Sequence, residues 1–243
     1  MIRFFVDENT LLSDTPALLD ENFKHAKVLR LNINEDVVLC DGNCNEAVCK
    51  TQEITESAMF LKVVSRGKSQ NEPNVKVSVF MALPKADKLE HVIQKATELG
   101  AYEIITFPTA RCIAKLDSKA IEKKLERWQK IAESAAKQSM RGYIPKIKFL
   151  KNYKEAVSKA ASADIPLFFY ENEHATTLKM ALEKKQYKTV SIMTGPEGGF
   201  PEEEVKAAEQ AGLKVCTLGK RILRCETAPL CALSAIMYDF GEF

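Results

Sequence analysis

Short apolar segments dominate the first 70 residues of the chain, and their spacing predicts β-strands. Five such segments are bounded by turn-forming residues, and in chain order they are IRFFV, KVLRL, DVVLC, EAVCKTQEI and MFLKVVS. Few stretches in this part repeat apolar residues at helical spacing. The pattern predicts a small β-barrel or sandwich over residues 1–70. The polar segment SRGKSQNEPN, which carries a proline near its end, predicts a linker behind it.

From residue 74 the pattern changes, because strand-like segments alternate with segments of helical periodicity. In ADKLEHVIQKATELG, apolar side chains from Leu89 to Leu99 share one helical face, and Gly100 provides the stop. The helix PEEEVKAAEQAG has a proline in its first turn. The other segments are VKVSVFMAL, YEIITF, SKAIEKKLERWQKIAESAAKQSMR, PKIKFL, NYKEAVSKAASA, PLFFY, ATTLKMALEKK, KTVSIMT, LKVCTLG and ETAPLCALSAIMYDF. Such alternation predicts a largely parallel sheet, covered by helices on both faces, over residues 74–243.

Two loops in the last third of the chain follow predicted strands and carry residues that could do chemistry. TGPEGGF follows TVSIM, and GKRILRCETAP follows VCTL. Ligands of parallel sheets bind at the carboxyl ends of the strands. We therefore expect the two loops to be neighbours in space and to form a ligand site together.

The first loop, within MTGPEGGFPEEE, indicates the kind of ligand. Its glycines could place backbone N–H groups around a phosphate at a helix N-terminus. The segment has neither a P-loop lysine nor G-x-G-x-x-G spacing, and Glu202, Glu203 and Glu204 already occupy the positive end of the helix. We therefore expect a neutral or cationic ligand that backbone atoms approach closely. The missing G-x-G-x-x-G also disfavours a nucleotide-dependent oxidoreductase.

The second loop, within LGKRILRCETAP, concentrates positive charge. Lys220, Arg221 and Arg224 supply three cations within five positions, ahead of Glu226 and Thr227, which can cap the last helix. On its own the segment is compatible with a helix-capping loop that carries solvated charges. Its expected proximity to TGPEGGF favours a functional role.

The charge of the chain is unevenly distributed. The formal net charge is +2, but residues 1–72 hold 8 Lys and Arg against 12 Asp and Glu, a net charge of −4, which leaves +6 for the rest. A polyanion is therefore attracted more to the second part, although the sequence pI near 8.1 is below the value of about 9 that is typical of nucleic-acid-binding domains. No apolar run approaches the roughly 18 residues of a membrane span, so we expect a cytoplasmic protein without membrane contact.

The seven cysteines are an odd number and indicate reduced thiols. Cys40, Cys44 and Cys49 cluster, but no C-x-x-C pair occurs, and their spacing also fits the inward side of a hairpin. A structural zinc site needs four well-spaced ligands, so we expect no metal.

At the two loops the sequence resembles the RsmE family of 16S ribosomal RNA (uracil-N3) methyltransferases, which belong to the SPOUT superfamily. The segments that carry the resemblance are TGPEGGF and LGKRILRCETAP, together with RFFV, HAKVLRL, DKLEHVIQKATELGAYEI and AAKQSMRGYIPKI. It extends over nearly the whole chain. The resemblance implies a PUA-like β-barrel over residues 1–70 as an auxiliary RNA-binding domain, and a SPOUT α/β domain with a deep trefoil knot and a parallel sheet over residues 74–243. It also implies a homodimer with active sites at the interface, and 16S rRNA or the 30S subunit as partner.

The resemblance further implies that S-adenosyl-L-methionine is the cofactor, with its adenine held largely by backbone. This ligand carries a sulfonium cation and no phosphate, as the first loop leads us to expect. The implied cofactor-binding residues are Tyr170, Thr194, Gly195, Glu197, Gly198, Gly199, Leu218, Gly219, Ile222 and Leu223. Glu197 could instead serve only to close its own turn.

For the chemistry, N3 of uracil must lose its proton before it can attack a methyl group. Arg224 is our candidate for stabilising the resulting anion or binding the target phosphate. Glu226 is a weaker candidate base, because capping its own helix would explain it equally well. Cys225 could be a low-pKa thiolate, although N3 chemistry needs no covalent intermediate.

Candidate RNA contacts divide into two groups, and exposed solubilising charge is the alternative for the first. Arg111, Gln138 and Arg141 match family positions near the RNA entrance, and Lys24, Lys27 and Arg30 form a compact basic strip in the first domain. The negative charge of that domain does not favour a strong RNA clamp. Two alternatives to the main function stay open: a non-catalytic RNA- or ribosome-binding protein with the same fold, and a SPOUT methyltransferase that acts on another RNA.

Overall fold

The computed structural model describes residues 1–113, 117–183 and 187–243, and it divides the chain into two compact units. The first unit comprises residues 1–72 and 136–144, and the second comprises residues 73–135 and 145–243.

The first unit is built on a five-stranded sheet of order β1-β3-β4-β5-β2. Its elements in chain order are β1 (Ile2–Phe5), α1 (Glu8–Leu12), β2 (Ala17–Leu18), α2 (Asp20–Val28), β3 (Asp36–Cys40), β4 (Asn45–Ile54) and β5 (Met59–Lys68). β1 lies parallel to β3, and the remaining pairs are antiparallel. Phe4, Leu18, Leu39 and Leu61 are fully buried between the sheet and the helices. The predicted β-rich domain is confirmed.

The predicted strand KVLRL is wrong, because Lys27 and Val28 end the helix α2. Phe23 and Ala26 are buried three positions apart, so tertiary packing favours helical periodicity over the β preference of the apolar run. Arg30 then has a φ of +55°, which a strand does not allow. The predicted linker also begins later than expected, because β5 continues to Lys68.

Residues 136–144 belong to the first unit, whereas the sequence pattern assigned them to the second domain. The Glu72 carboxylate accepts hydrogen bonds from Arg141 Nη2 at 2.7 Å, from the backbone N–H of Gly142 at 2.8 Å and from that of Tyr143 at 3.1 Å. The Ile144 N–H donates to the Gly42 carbonyl at 3.1 Å. These contacts join positions about 70 residues or more apart, so local patterning could not indicate them.

The second unit is built on a six-stranded sheet of order β11-β9-β10-β6-β7-β8, in which all pairs are parallel. The strands are β6 (Lys76–Ala82), β7 (Glu103–Phe107), β8 (Lys146–Phe149), β9 (Ile165–Phe169), β10 (Thr189–Thr194) and β11 (Lys214–Cys216). The helices are α3 (Lys88–Glu98), α4 (Ser118–Gln138), α5 (Tyr153–Ala160), α6 (Leu178–Ala181), α7 (Glu202–Gln210) and α8 (Thr227–Asp239), and the last three residues of α4 belong to the first unit. The predicted helix ATTLKMALEKK is shorter than expected, and its final Lys184 and Lys185 lie outside the described residues.

Central β10 is buried continuously from Val190 to Thr194, which requires cover on both faces of the sheet. α8 packs against α3 and against β6 and β10, and α5 contacts the same two strands. The predicted parallel α/β sheet is confirmed. The strand order is consistent with the trefoil knot that the resemblance implies. No helix in the described ranges is long and apolar enough to cross a bilayer.

Candidate active site

A cavity of about 650 Å³ opens at the carboxyl ends of β9, β10 and β11. Its position is the one expected for ligands of a parallel sheet. Every residue assigned to the cofactor lines this cavity: Tyr170, Thr194, Gly195, Glu197, Gly198, Gly199, Leu218, Gly219, Ile222 and Leu223. The predicted proximity of the two loops is therefore confirmed.

The first loop folds tightly because its glycines have no side chains, and the atoms around them leave no room for one. A Cβ on Gly195 would lie 3.2 Å from the Cα of Gly199, and a Cβ on Gly199 would collide with the Glu171 carboxylate. Gly199 also has a φ of +64°, which L side chains rarely adopt. The loop then ends at Phe200, whose buried ring packs 4.4 Å from that of Phe168. This anchor holds the loop against the core of the unit.

The second loop is shaped by side-chain and backbone hydrogen bonds at both ends. The Gly219 N–H donates to Thr217 Oγ1 at 3.1 Å, and Gly219 has a φ of +105°. At the other end the Arg224 carbonyl accepts from the N–H groups of Thr227 at 2.9 Å and Ala228 at 3.0 Å, which begins α8. Between them, Ile222 is 85% exposed. An exposed apolar side chain beside a cavity is suited to contact a flat apolar ligand group.

Lys88, at the start of α3, contributes to the cavity and was missed by the sequence analysis. Its ammonium lies 2.9 Å from Glu197 Oε1 and 3.5 Å from Glu226 Oε2. The hydrogen bond from Lys88 to Glu197 raises the pKa of the lysine. The segment DKLEHVIQ contained the residue, but its helical pattern gave no sign that two distant carboxylates would meet there.

The Glu226 carboxylate does not cap its own helix, although Glu226 occupies the N-cap position of α8. It pairs with Lys88 and accepts a hydrogen bond from Cys225 Sγ at 3.2 Å. The pKa of Glu226 is lowered, most strongly by the hydrogen bond that its carboxylate accepts from its own backbone N–H. The hydrogen bond from Cys225 and the charge of Lys88 lower it further. The carboxylate is therefore ionised at neutral pH, and a lowered pKa makes it a weaker base.

Cys225 is a neutral thiol at the edge of the cavity. Burial, then the hydrogen bond to Glu226, raises the pKa of its thiol to about 12. The suggestion of a low-pKa thiolate at this position is wrong, because burial disfavours the charged form more than Lys88 favours it.

Glu197 does more than close its own turn. It accepts a hydrogen bond from the backbone N–H of Lys85 at 3.1 Å besides the ion pair with Lys88. Partial burial raises the pKa of Glu197, but the bonds from Lys88 and from backbone N–H groups, with the charge of Lys88, lower it by more. The carboxylate therefore stays ionised, in contact with the segment before α3.

The predicted RNA contacts lie in different environments. Arg111 is exposed and donates to the Gly198 carbonyl at 2.8 Å, so that it contacts the first loop directly. Gln138 is exposed and belongs to the first unit. The Arg141 side chain, only 4% exposed, is bound to Glu72, which gives it a role inside the first unit.

The basic strip of the first unit lies on and after α2. Lys24 pairs with Glu21 at 2.8 Å, and Lys27 donates to the Glu56 carbonyl at 3.1 Å. Both side chains, and that of Arg30, are exposed. All three cations can therefore reach a polyanion.

No cluster of three or more His, Cys, Asp or Glu residues in the described ranges is placed to hold a metal ion. The cavity has the size expected for an organic cofactor, because its volume lies within the range of about 300–1,000 Å³ that is typical of small-molecule sites. Glycine backbone, the apolar Leu218, Ile222 and Leu223, and nearby carboxylates match an uncharged purine and a positive sulfur.

Several known proteins are similar to this chain in sequence and in structure. A model described as an RNA methyltransferase domain matches residues 71–237, and one described as an RNA methyltransferase PUA domain matches residues 18–64. The chain is 36% identical over 249 residues to ribosomal RNA small subunit methyltransferase E of Bacillus subtilis (strain 168), with 98% of this chain and 97% of the relative covered. The protein of the same name from Mesomycoplasma hyopneumoniae (strain 232) is 34% identical, with 98% and 100% covered.

A crystal structure of ribosomal RNA small subunit methyltransferase E from Neisseria gonorrhoeae, bound to S-adenosyl methionine, superposes with a TM-score of 0.84. That protein is 32% identical, and the match covers 98% of this chain and 97% of the other. The resemblance noted in the two loops is thus confirmed along the whole chain. The chain belongs to the family of RNA methyltransferases whose members are named ribosomal RNA small subunit methyltransferase E.

Proposed function

We propose that this chain transfers the methyl group of S-adenosylmethionine to N3 of one uridine in the 16S RNA of the small ribosomal subunit. The observation that carries the proposal is the joint lining of one cavity by the loops Thr194–Gly199 and Leu218–Leu223. A relative of 32% identity was solved with S-adenosyl methionine bound, which supports the same cofactor here.

Within the cavity, backbone groups of the two loops would hold the adenine, and the apolar Leu218, Ile222 and Leu223 would contact its faces. When bound, the cofactor supplies an electrophilic methyl group on a positively charged sulfur. The three glutamates that open α7 add negative charge close to the first loop, which disfavours a phosphate-bearing ligand.

Arg224 is the residue we assign to the reacting base. Its carbonyl is bound by the first amides of α8, which places the residue at the cavity edge, and its side chain is exposed there. The guanidinium can donate to a uracil oxygen beside N3, where negative charge develops as the proton leaves. The same fork could bind a phosphate of the target nucleotide.

Glu226 has a lesser role in this proposal than an ordinary general base. Its ion pair with Lys88 and its lowered pKa keep it ionised and reduce its tendency to take a proton. Arg224 then lowers the energy of the uracil anion, and the proton can leave to solvent.

Lys220 and Arg221 are exposed at the rim of the cavity, and Arg111 lies beside the first loop. We assign these cations to phosphates of the RNA around the target uridine. Gln138 and the basic strip Lys24, Lys27 and Arg30 would add contacts from the first unit, as an auxiliary RNA-binding domain. A cytoplasmic homodimer acting on 16S rRNA or on the 30S subunit completes the proposal.

The test is methylation by the purified chain in defined conditions. Ribosomal RNA and 30S subunits from cells that lack the protein are incubated with it and S-adenosylmethionine, and the nucleosides are analysed by mass spectrometry. We expect one 3-methyluridine per 16S RNA. RNA binding without any methylated nucleoside would support the non-catalytic alternative, and methylation of a different RNA would support the other one.

A further inference from the structure

We propose that Lys88 is a positioning residue of the methyl-transfer site, which holds the loop Thr194–Gly199 and the start of α8 in one arrangement through Glu197 and Glu226. The inference rests on the proposed function, since it assigns part of the same cavity.

The contacts of Lys88 join three segments that are distant in sequence. Its Nζ atom lies 2.9 Å from Glu197 in the first loop, 3.5 Å from Glu226 at the start of α8 and 3.8 Å from Cys225 Sγ. An ammonium group has three N–H donors, so one lysine can interact with all three groups at once. Besides lining the cavity itself, Lys88 therefore acts on it through these neighbours.

The turn before α3 is a second connection to the first loop. Glu197 also accepts from the Lys85 N–H at 3.1 Å. Ala86, which lies between Lys85 and Lys88 in the chain, has a φ of +54°, an uncommon conformation for a residue with a side chain. A turn of this kind persists only where surrounding contacts hold it, and Glu197 supplies contacts on both sides of Ala86.

Removing the cation would change the balance of charge at the cavity. Glu197 and Glu226 both approach the same Nζ atom, so they lie close to each other. Without the ammonium between them, two ionised carboxylates repel. We expect the first loop and the start of α8 to separate, which reduces the fraction of molecules ready to bind the cofactor.

The experiment compares Lys88→Met and Lys88→Arg with the control Lys95→Met. Lys95 lies on the same helix and pairs with Glu98 at 2.8 Å, so its loss reports the general effect of removing a lysine from α3. Each full-length variant is measured by titration calorimetry with S-adenosylmethionine, by thermal unfolding without cofactor, and by amide hydrogen exchange.

We expect Lys88→Met to weaken cofactor binding about tenfold, because a hydrogen bond between charged groups is lost. Exchange should become faster in both segments, 194–199 and 225–227, while the cofactor-free unfolding temperature changes no more than in Lys95→Met. Lys88→Arg, which can still bind both carboxylates, should recover most of the affinity. Glu197→Gln should weaken cofactor binding when it is made in the wild-type chain. Made in the Lys88→Met variant, it should cause little further loss of affinity.

Unchanged cofactor affinity in Lys88→Met, or faster exchange in only one of the two segments, would overturn the inference. Equal losses from Glu197→Gln in both backgrounds would also contradict it, because the two residues would then act independently. The proposed function fails in a different way: the wild-type chain would bind the cofactor, with the dependence on Lys88 intact, yet produce no methylated RNA.

Discussion

The guanidinium of Arg111 donates a hydrogen bond to the carbonyl oxygen of Gly198 at 2.8 Å. The aliphatic part of the same side chain covers this glycine, since a Cβ on Gly198 would lie 3.3 Å from the Arg111 Cβ. The backbone N–H of neighbouring Ala110 donates to Glu204 Oε1 at 2.9 Å. The segment that carries Arg111 is therefore hydrogen-bonded both to the glycine loop, at Gly198, and to the first turn of α7, at Glu204.

Arg111→Ala should weaken S-adenosylmethionine binding by about two- to tenfold, because one hydrogen bond to the loop is lost. Calorimetric titration measures the change, with Lys206→Ala, an exposed cation on α7, as the control. If Arg111 contacts only RNA, the variant would bind the cofactor like the wild-type chain and lose RNA affinity alone.

Gly199→Ala should abolish measurable cofactor binding. The new Cβ would collide with the Glu171 carboxylate, and the φ of +64° would become strained. Gly212→Ala is a matched control, because Gly212 has a φ of +94° but nothing within 4 Å of an added Cβ. Both variants should lose roughly 1–3 kcal/mol of stability from backbone strain.

Both variants should lose stability, but only Gly199→Ala should also lose affinity for the cofactor. Equal cofactor affinities in the two variants, measured by titration at a temperature where both are folded, would show that close packing at Gly199 does not shape the site.

Arg224→Ala should reduce methyl transfer about 100-fold or more if Arg224 has the proposed role, because the proposed donor to the developing uracil charge is removed. Cofactor affinity should change little. Single-turnover transfer from labelled S-adenosylmethionine gives the rate, and calorimetry gives the affinity.

Arg221→Ala serves as the control for Arg224, since both cations line the cavity rim. It should raise the RNA concentration needed for half-maximal rate and leave the maximal rate nearly unchanged. The same loss of maximal rate in both variants would indicate a general electrostatic effect in place of a specific role.

Glu72→Ala should destabilise the first unit by about 3–5 kcal/mol, because Arg141 would be left buried without this carboxylate. Native-state hydrogen exchange at Gly142 and Ile144 measures the effect. Asn71→Ala, which removes an exposed hydrogen bond to the Met140 carbonyl, should cost no more than about 1 kcal/mol. If Arg141→Ala weakened RNA binding without changing these exchange rates, the sequence-based RNA assignment of Arg141 would be supported.

Glu204→Gln should stabilise the second unit at neutral pH. Burial raises the pKa of Glu204 above its ordinary 4.5 despite the bond from the Ala110 N–H, and its Oε2 has no partner among the described residues. A carboxyl group with a raised native pKa binds its proton more tightly when folded, so stability falls as the pH rises from 4.5 through the native value.

The advantage of the glutamine should therefore disappear as the pH falls below 4.5, where both states of the wild-type chain are protonated. Thermal unfolding at several pH values measures it, with exposed Glu203→Gln as the control. A difference that does not depend on pH would contradict the assigned shift.

Several features of this protein follow from the sequence alone. The alternation of apolar runs and helical periods predicted a parallel sheet because strands buried on both faces are mostly apolar, as in Val190–Thr194, where Val190, Ile192 and Met193 are buried. The glycines of TGPEGGF and the glutamates after them indicated a tight loop for a ligand without phosphate. These signals are local, since they depend on residues that are close together in the chain.

Tertiary structure decided the features that depend on contacts between distant positions. Lys88 meets Glu197 and Glu226 only after three segments have come together, and the buried Arg141 pairs with Glu72, which is 69 residues away in the chain. KVLRL had the composition of a strand, but burial of Phe23 and Ala26 selected a helix instead. Periodicity and turn formation are determined by residues that are neighbours in the sequence, whereas charge pairing and burial depend on which parts of the chain the fold brings together.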